Sequence, residues 1–152
     1  MNITNLTLLA NYLNTLPDNY AHFDMSLYLT DTDEDNTSEL GISEIAYYKP
    51  TNCGTSACAV GHAPYVPGMP QPNDADYGWS DYSERIFELE SYDKAWDWCF
   101  SAAWDDIDNT PKGAAARIRY LIQHPDLKNW ESCCDNRCDI EALKLYNIAT
   151  KD

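Results

Sequence analysis

Two cysteines and a histidine lie close together in CGTSACAVGHAP, which runs from Cys53 to Pro64. Cys58 and His62 are four residues apart, so on a helix that begins near Thr55 their side chains would share one face. A thiol beside an imidazole is the arrangement of a cysteine nucleophile with its general base. Such a thiol needs an electropositive setting to ionise, and the first two-thirds of this chain is acidic. A cysteine-dependent enzyme is therefore the weaker reading of this segment.

Zinc coordination is a second interpretation of the same segment. Three more cysteines lie near the carboxyl-terminal end, and two ligands from each segment would complete a tetrahedral site. The spacing matches none of the common zinc modules. The candidate ligands are Cys53, Cys58, His62, Cys133, Cys134 and Cys138. We favour a third interpretation, in which the small residues let another element approach closely and the cysteines are buried without a cofactor.

The acidic segment DTDEDNTSELG, residues 31–41, resembles a calcium loop until its positions are counted. An EF-hand needs Gly at position six and Glu at position twelve. Counted from Asp31, these positions hold Asn36 and Ile42, and counting from Asp33 places Ser38 at position six. We therefore predict a solvated acidic loop.

The segment WDWCFSAAWDDID, residues 96–108, combines three tryptophans with aspartates. Aromatic faces beside two carboxylates can form a glycosidase site, but nothing in the segment identifies such a pair. The tryptophans are expected to pack in the core or to contact a partner. An alternative is a site for a small molecule or nucleotide, in which indoles stack on the ligand and guanidinium groups hold its phosphate or carboxylate. Its residues would be Trp96, Trp104, Arg117 and Arg119.

The charge of the chain favours a basic partner. The net charge is −15, and residues 1–111 hold nineteen acidic side chains but only three basic ones. This field repels phosphate backbones and anionic membranes, so we expect no direct binding to nucleic acid or to a membrane. The candidate partner-binding residues are Asp31, Asp33, Glu34, Asp35, Asp105 and Asp106.

The amino-terminal sequence MNITNLTLLANYLNTLP lacks the basic and apolar regions of a secretory signal. Nor does any segment approach the roughly 18 apolar residues of a membrane span. We therefore expect a cytosolic protein. In that compartment six cysteines are more often thiols or ligands than three disulfides.

Hydrophobic spacing predicts a mainly helical α+β protein that forms a single compact domain over residues 1–152. An amphipathic helix is expected over residues 4–16, ending before Pro17. Alternation over Phe23 to Leu29 predicts a strand, and a second short strand is expected over Ile45 to Tyr48.

Cap residues predict the remaining helices. Ser80 and Ser91 are expected to begin two of them, and the Thr110–Pro111 pair begins a third that reaches Gln123. In that third helix we expect the arginines to face solvent. A final helix is expected after Asp139. The proline-rich segment 63–78 should be irregular.

Three segments together resemble a group of small proteins from bacteriophages and bacteria. They are HFDMSLY at residues 22–28, NCGTSACAVGHAP at 52–64 and DNTPKGAAARIRYLI at 108–122. In that group a Phe-Asp/Asn-Met segment precedes Cys-Gly-Thr-x-Ala-Cys-Ala-x-Gly, and a Thr-Pro helix rich in Ala and Arg follows. The resemblance implies no catalytic residues. It implies a phage gene product that works in the cytoplasm of an infected bacterium, where small acidic phage proteins occupy basic surfaces of host defence proteins.

Our leading hypothesis is thus a non-enzymatic acidic protein that binds, and inhibits, a basic host macromolecule such as a defence or nucleic-acid-processing protein. Its acidic residues from Asp18 to Glu44 and from Asp74 to Asp108 would face the partner. The alternatives are a small-molecule or nucleotide binder and a zinc- or cysteine-dependent enzyme.

Overall fold

Helices provide most of the regular structure in the computed structural model, which describes residues 1–31, 38–46, 55–91, 93–125 and 147. In these ranges the α-helices are α1 (Ile3–Thr15), α2 (Ala59–His62), α3 (Trp79–Phe87), α4 (Lys94–Phe100) and α5 (Pro111–Gln123). The strands are β1 (Leu29–Asp31), β2 (Ser38–Glu39) and β3 (Thr55–Ala57). Short 3-10 helices cover Ile42–Ala46, Ala63–Tyr65 and Ala102–Asp106. The protein is therefore a mainly helical α+β fold with a small sheet, as predicted.

The two longest helices, α1 and α5, pack against each other. The Thr110 hydroxyl accepts from the Gly113 N–H and caps α5 as predicted, and the Asn2 side chain, for which no cap was predicted, accepts from the Asn5 N–H at the start of α1. Leucines of α1 and small residues of α5 meet in the core, because a helix rich in alanine allows close approach. The fully buried apolar residues of the pair are Leu6, Leu9, Leu13, Ala114, Ala115 and Ile118.

The sheet is antiparallel, with the strand order β2-β1-β3. Its central residue Thr30 is paired with Glu39 on one side and with Ser56 on the other. The first β residue along the chain is Phe23, which forms an isolated parallel bridge with Ala57. The sheet is thus assembled from three short segments that are distant in sequence.

The strand predicted over residues 23–29 is mostly wrong. Residues 25–26 form a turn, and the strand begins only at Leu29. The alternation does report burial, since Phe23, Met25 and Leu29 are buried. Asp24 interrupts the strand because its carboxylate accepts hydrogen bonds from the N–H and hydroxyl of Ser26, which closes a local turn. The pattern reported the core-facing side chains and missed the turn.

Other element predictions need smaller corrections. Ile45 and Ala46, expected to begin a strand, end a 3-10 helix, and residues 47–48 lie outside the described ranges. Apart from residue 147, so does the helix expected after Asp139. Within the range 31–41 predicted as an acidic loop, Asp31 and Ser38–Glu39 are strand residues, and residues 32–37 lie outside the described ranges. Ser80 lies inside α3, which is capped by Gly78, and α4 is capped by Asp93 instead of Ser91.

Aromatic side chains fill the part of the core around α3 and α4, in agreement with the packing interpretation of residues 96–108. Trp96, Trp98 and Trp104 are at most 3% exposed. Each indole N–H donates inside the protein, to the Ser83 hydroxyl, the Arg117 carbonyl and the Asp97 carbonyl respectively. Buried tryptophans with satisfied N–H groups act as structural anchors.

Within the described ranges, none of the helices is long and apolar enough to cross a bilayer.

Candidate functional site

The segment with Cys58 and His62 does not form the helix that the sequence predicts. Residues Thr55–Ala57 are the β3 strand, Cys58 caps α2, and only Ala59–His62 are helical. A Cβ atom placed on Gly61 would lie 1.7 Å from the carbonyl oxygen of Tyr28, so only glycine fits there. The small residues in this segment therefore allow the strand-turn region to pack directly on α2, which is the structural interpretation we favoured.

His62 is completely buried among aromatic rings. Its Nε2 lies 3.0 Å from the carbonyl oxygen of His22, so this nitrogen carries the proton and donates. The other ring nitrogen, Nδ1, is buried without a hydrogen-bond partner. The ring stacks on Phe23 at 5.7 Å between centroids and also contacts Tyr12 and Tyr20. Burial lowers the pKa of His62 to about 4, so the neutral ring is a core residue at physiological pH.

The predicted metal ligands are divided between described and undescribed parts of the chain. Cys58 and His62 are both buried, and the described residues contain no group of three His, Cys, Asp or Glu side chains placed to hold a metal ion. The other candidate ligands lie outside the described ranges. They are Cys53, Cys133, Cys134 and Cys138.

The proposed ligand clamp of tryptophans and arginines is not formed as predicted. Arg117 was expected to face solvent but is fully buried, with its guanidinium carbon 4.3 Å from the centre of the Trp104 ring. Arg119 extends along α1, where its donors lie 3.3 to 3.4 Å from Asn14 Oδ1, Asn11 Oδ1 and the Ala10 carbonyl. Helical periodicity places Arg117 on the polar face of α5 because the pattern takes account of charge alone. Stacking on an indole ring stabilises a guanidinium inside a core, and the pattern contains no information on it.

The predicted partner-binding residues also differ in exposure. Asp106 is exposed, whereas Asp105 is half-buried and has one carboxylate oxygen buried without a hydrogen-bond partner. Asp31 belongs to β1, and Asp33, Glu34 and Asp35 lie outside the described ranges. Of the two aspartates in this set whose exposure the structure describes, Asp105 and Asp106, Asp106 is thus the exposed one.

A second group of carboxylates lies around the end of α3, and we call this surface the acidic groove. It has a volume of about 530 Å³. Tyr77 at its edge is 93% exposed, and Glu88 and Glu90 are exposed. The groove is lined by Ala75, Tyr77, Asp81, Glu84, Arg85, Glu88, Leu89 and Glu90. The carboxyl end of a helix carries a partial negative charge, which adds to the field of these carboxylates.

Among the described residues that line the acidic groove, Arg85 is the one with a cationic side chain, and it is engaged inside the protein. Its Nε donates to Asp76 Oδ1 at 2.8 Å and its Nη2 to Asp76 Oδ2 at 2.6 Å, which is a bidentate pair. These hydrogen bonds lower the pKa of Asp76, itself 8% exposed. Since this pair is internally neutral, the four remaining carboxylates determine the sign of the groove.

The groove carboxylates differ in how firmly they are held. Glu84 accepts from the N–H and hydroxyl of Ser91, and these bonds lower its pKa. Asp81 accepts from the Tyr77 N–H at 3.1 Å. Glu88 and Glu90 are exposed, and the Glu88 carboxylate also lies 3.8 Å from the N-terminal ammonium of Met1 and accepts from the Asn2 side-chain amide at 3.4 Å. Glu84 lies in α3, whereas Glu88 follows the last helical residue in a left-handed conformation with φ 52°. The sequence signal that would have located this surface is the clustering of Glu84, Glu88 and Glu90 around the end of the helix.

A separate pocket of about 330 Å³ lies between residues 25–28 and α4. We call it the α4 pocket. Its lining residues are Met25, Ser26, Leu27, Tyr28, Cys58, Trp96, Asp97, Phe100, Ser101 and Ala102. Trp96 is the only residue of the predicted ligand clamp that lies here. Asp97 lies on α4 and Ser101 is the residue that caps its carboxyl end. Their four-residue spacing is the signal in the sequence that both would face one site.

Asn109 fixes the turn that forms one wall of the α4 pocket. Its side-chain oxygen accepts from the Met25 N–H at 2.7 Å, and its amide nitrogen donates to Asp24 at 3.2 Å. Burial opposes ionisation of Asp24, but hydrogen bonds from Ser26 and Asn109 lower its pKa overall. Segments 22–28 and 108–122 therefore meet at this turn, directly before α5.

No family model, curated protein or solved structure matches the chain.

Proposed function

We propose that this protein is a non-enzymatic acidic binding protein that contacts a basic surface of a host macromolecule through the acidic groove, and thereby inhibits it. The setting that the sequence resemblance implies is the cytoplasm of an infected bacterium. The observation that carries the proposal is the acidic groove, which is lined by four carboxylates besides the paired Arg85 and has an exposed tyrosine at its edge. Exposed aromatic rings and complementary charges are common in interfaces.

Internal pairing of the basic residues supports this proposal. Arg85 is bound to Asp76, Lys112 lies 2.8 Å from Asp18, and Arg119 lies along α1. Arg117 is buried under Trp104. The net charge of −15 already includes all ten basic side chains, so a negative outward field remains after these contacts are counted. The field then attracts basic partners and accelerates their association.

The test is affinity capture from a host lysate, with the double variant Glu88→Gln/Glu90→Gln as the groove probe. These two side chains are exposed, and a glutamine at position 88 can still accept from the Asn2 side-chain amide although it loses the ion pair with the Met1 ammonium, so the fold should stay intact. The matched control is Asp93→Asn/Asp106→Asn, which removes two exposed charges elsewhere. Both double variants have the same net charge.

We expect the wild-type chain to retain a stoichiometric basic protein at low salt and to release it near 1 M salt, where the screening length is about 3 Å. The groove variant should lose about tenfold in affinity, mostly through slower association, and the control should lose much less. Equal losses in both variants would show that general charge, and not the groove, determines binding. Absence of any stoichiometric partner, or tight binding to DNA, would contradict the proposed function.

A further inference from the structure

The α4 pocket has the composition of a small-ligand site. Its deep wall is apolar and rigid, because Met25, Trp96 and Phe100 are at most 3% exposed and belong to the core. Its polar lining residues are Ser26, Asp97 and Ser101; the Ser26 hydroxyl donates to Asp24 Oδ1 and the Ser101 hydroxyl accepts from the Ala103 N–H, so each retains an acceptor lone pair. Preformed apolar pockets with a few polar groups at one side are the usual form of such sites.

The walls of this pocket are held by contacts that do not involve a ligand. The Asn109 side chain fixes the backbone at Met25. The Trp96 indole N–H donates to the Ser83 hydroxyl at 2.9 Å, which sets the orientation of the ring. The ring of Tyr28 stacks on Trp79 with an angle of 8° between their planes. A site with fixed walls loses little entropy when it is filled.

The charged residues around the α4 pocket favour a ligand with a positive charge. Asp97 is the only ionisable carboxylate among the ten lining residues, and none of the ten is cationic. An anionic ligand would be repelled by Asp97 and by the net charge of the protein, whereas an ammonium group could receive the carboxylate and the serine hydroxyls as acceptors. A volume of about 330 Å³ corresponds to about ten non-hydrogen atoms when each is given the space of one water molecule, about 30 Å³.

We infer that the α4 pocket binds a small organic cation, with its apolar or aromatic body against Trp96 and Phe100 and its ammonium group beside Asp97. This site is separate from the acidic groove, and its existence does not depend on the proposed function. The α4 pocket differs from the ligand clamp predicted from the arginines, because here a carboxylate of the protein binds a cationic ligand.

Three probes of nearly the same shape test the inference on the full-length, ¹⁵N-labelled chain. Phenethylamine carries a positive charge, 2-phenylethanol is neutral and phenylacetate is negative. Amide chemical shifts report both the affinity and the location of binding. We expect the amine to shift the amides of Ser26, Leu27 and Ala102, and to bind about fivefold to tenfold more tightly than the alcohol. Phenylacetate should bind most weakly.

Two variants and a control separate charge recognition from pocket shape. Asp97→Asn should abolish the preference for the amine over the alcohol and leave alcohol binding nearly unchanged. Ala102→Trp, at an exposed lining position, should obstruct the pocket and weaken both probes. Asp106→Asn, which removes an exposed charge outside the lining, should retain the preference. Equal binding of all three probes, shifts confined to other surfaces, or a preference that survives Asp97→Asn would overturn the inference.

Discussion

The buried histidine should make the stability of this protein decrease between pH 7 and pH 5. His62 has a pKa of about 4 in the folded chain, against an ordinary value of 6.5. The folded state therefore binds fewer protons than the unfolded state over this interval, so protonation favours unfolding as the pH falls. From these two pKa values, His62 should remove about 2 kcal/mol of unfolding free energy between pH 7 and pH 5.

Carboxylates contribute little to this pH interval. Asp24, Asp76 and Glu84 have lowered pKa values in the folded chain. Their stabilising effect is present above their unfolded pKa values, near 4, and is lost only as the pH falls further toward their folded values. These three carboxylates therefore do not cause the loss of stability between pH 7 and pH 5, which we attribute to His62.

The variant His62→Gln measures this effect directly. Its side-chain amide can still donate to the His22 carbonyl but cannot become charged. Urea unfolding, followed by tryptophan fluorescence at pH 7, 6 and 5, should show a variant that is less stable than wild type at pH 7. The difference should shrink by about 2 kcal/mol at pH 5. The exposed His124→Gln is the matched control and should follow the wild-type curve. If His62→Gln and wild type lose stability in parallel, the pKa assigned to His62 is wrong.

Two glycine positions give further predictions. Gly61→Ala should destabilise the chain by about 3 kcal/mol in chemical denaturation, because its Cβ would lie 1.7 Å from the Tyr28 carbonyl. Gly78→Ala, where nothing lies within 4 Å of the added carbon, is its control, and similar losses in the two would contradict the close approach. At Gly113 an added Cβ would lie 2.0 Å from an oxygen of the Asp108 carboxylate. Gly113→Ala should therefore lower the free energy of unfolding of the wild-type chain by about 1 kcal/mol. In an Asp108→Ala chain the same substitution should raise it by a similar amount, because alanine is the better helix former. The same sign of change in both chains would refute this explanation.

Local sequence signals were sufficient for the long helices. The leucine spacing of residues 6–13 predicts α1 within one residue at each end, and the Thr110–Pro111 pair predicts the start of α5. Both signals act within a few residues of the chain: periodic apolar side chains define a buried face, and a hydroxyl satisfies an exposed backbone N–H. The same applies to the burial of the three tryptophans of residues 96–108.

The two candidate sites depend on contacts between distant segments. The α4 pocket needs the turn at Met25 to be held by Asn109, 84 positions further along the chain. Arg117 is a core residue because its guanidinium stacks on the ring of Trp104. Helical periodicity contains no information on this contact. The sequence alone determined the acidic charge, the α+β class and the main helices, because these follow from composition and local spacing. Only the tertiary structure decided which carboxylates form a groove, which histidine is buried and where a pocket opens, because burial and charge pairing depend on neighbours that the chain brings together by folding.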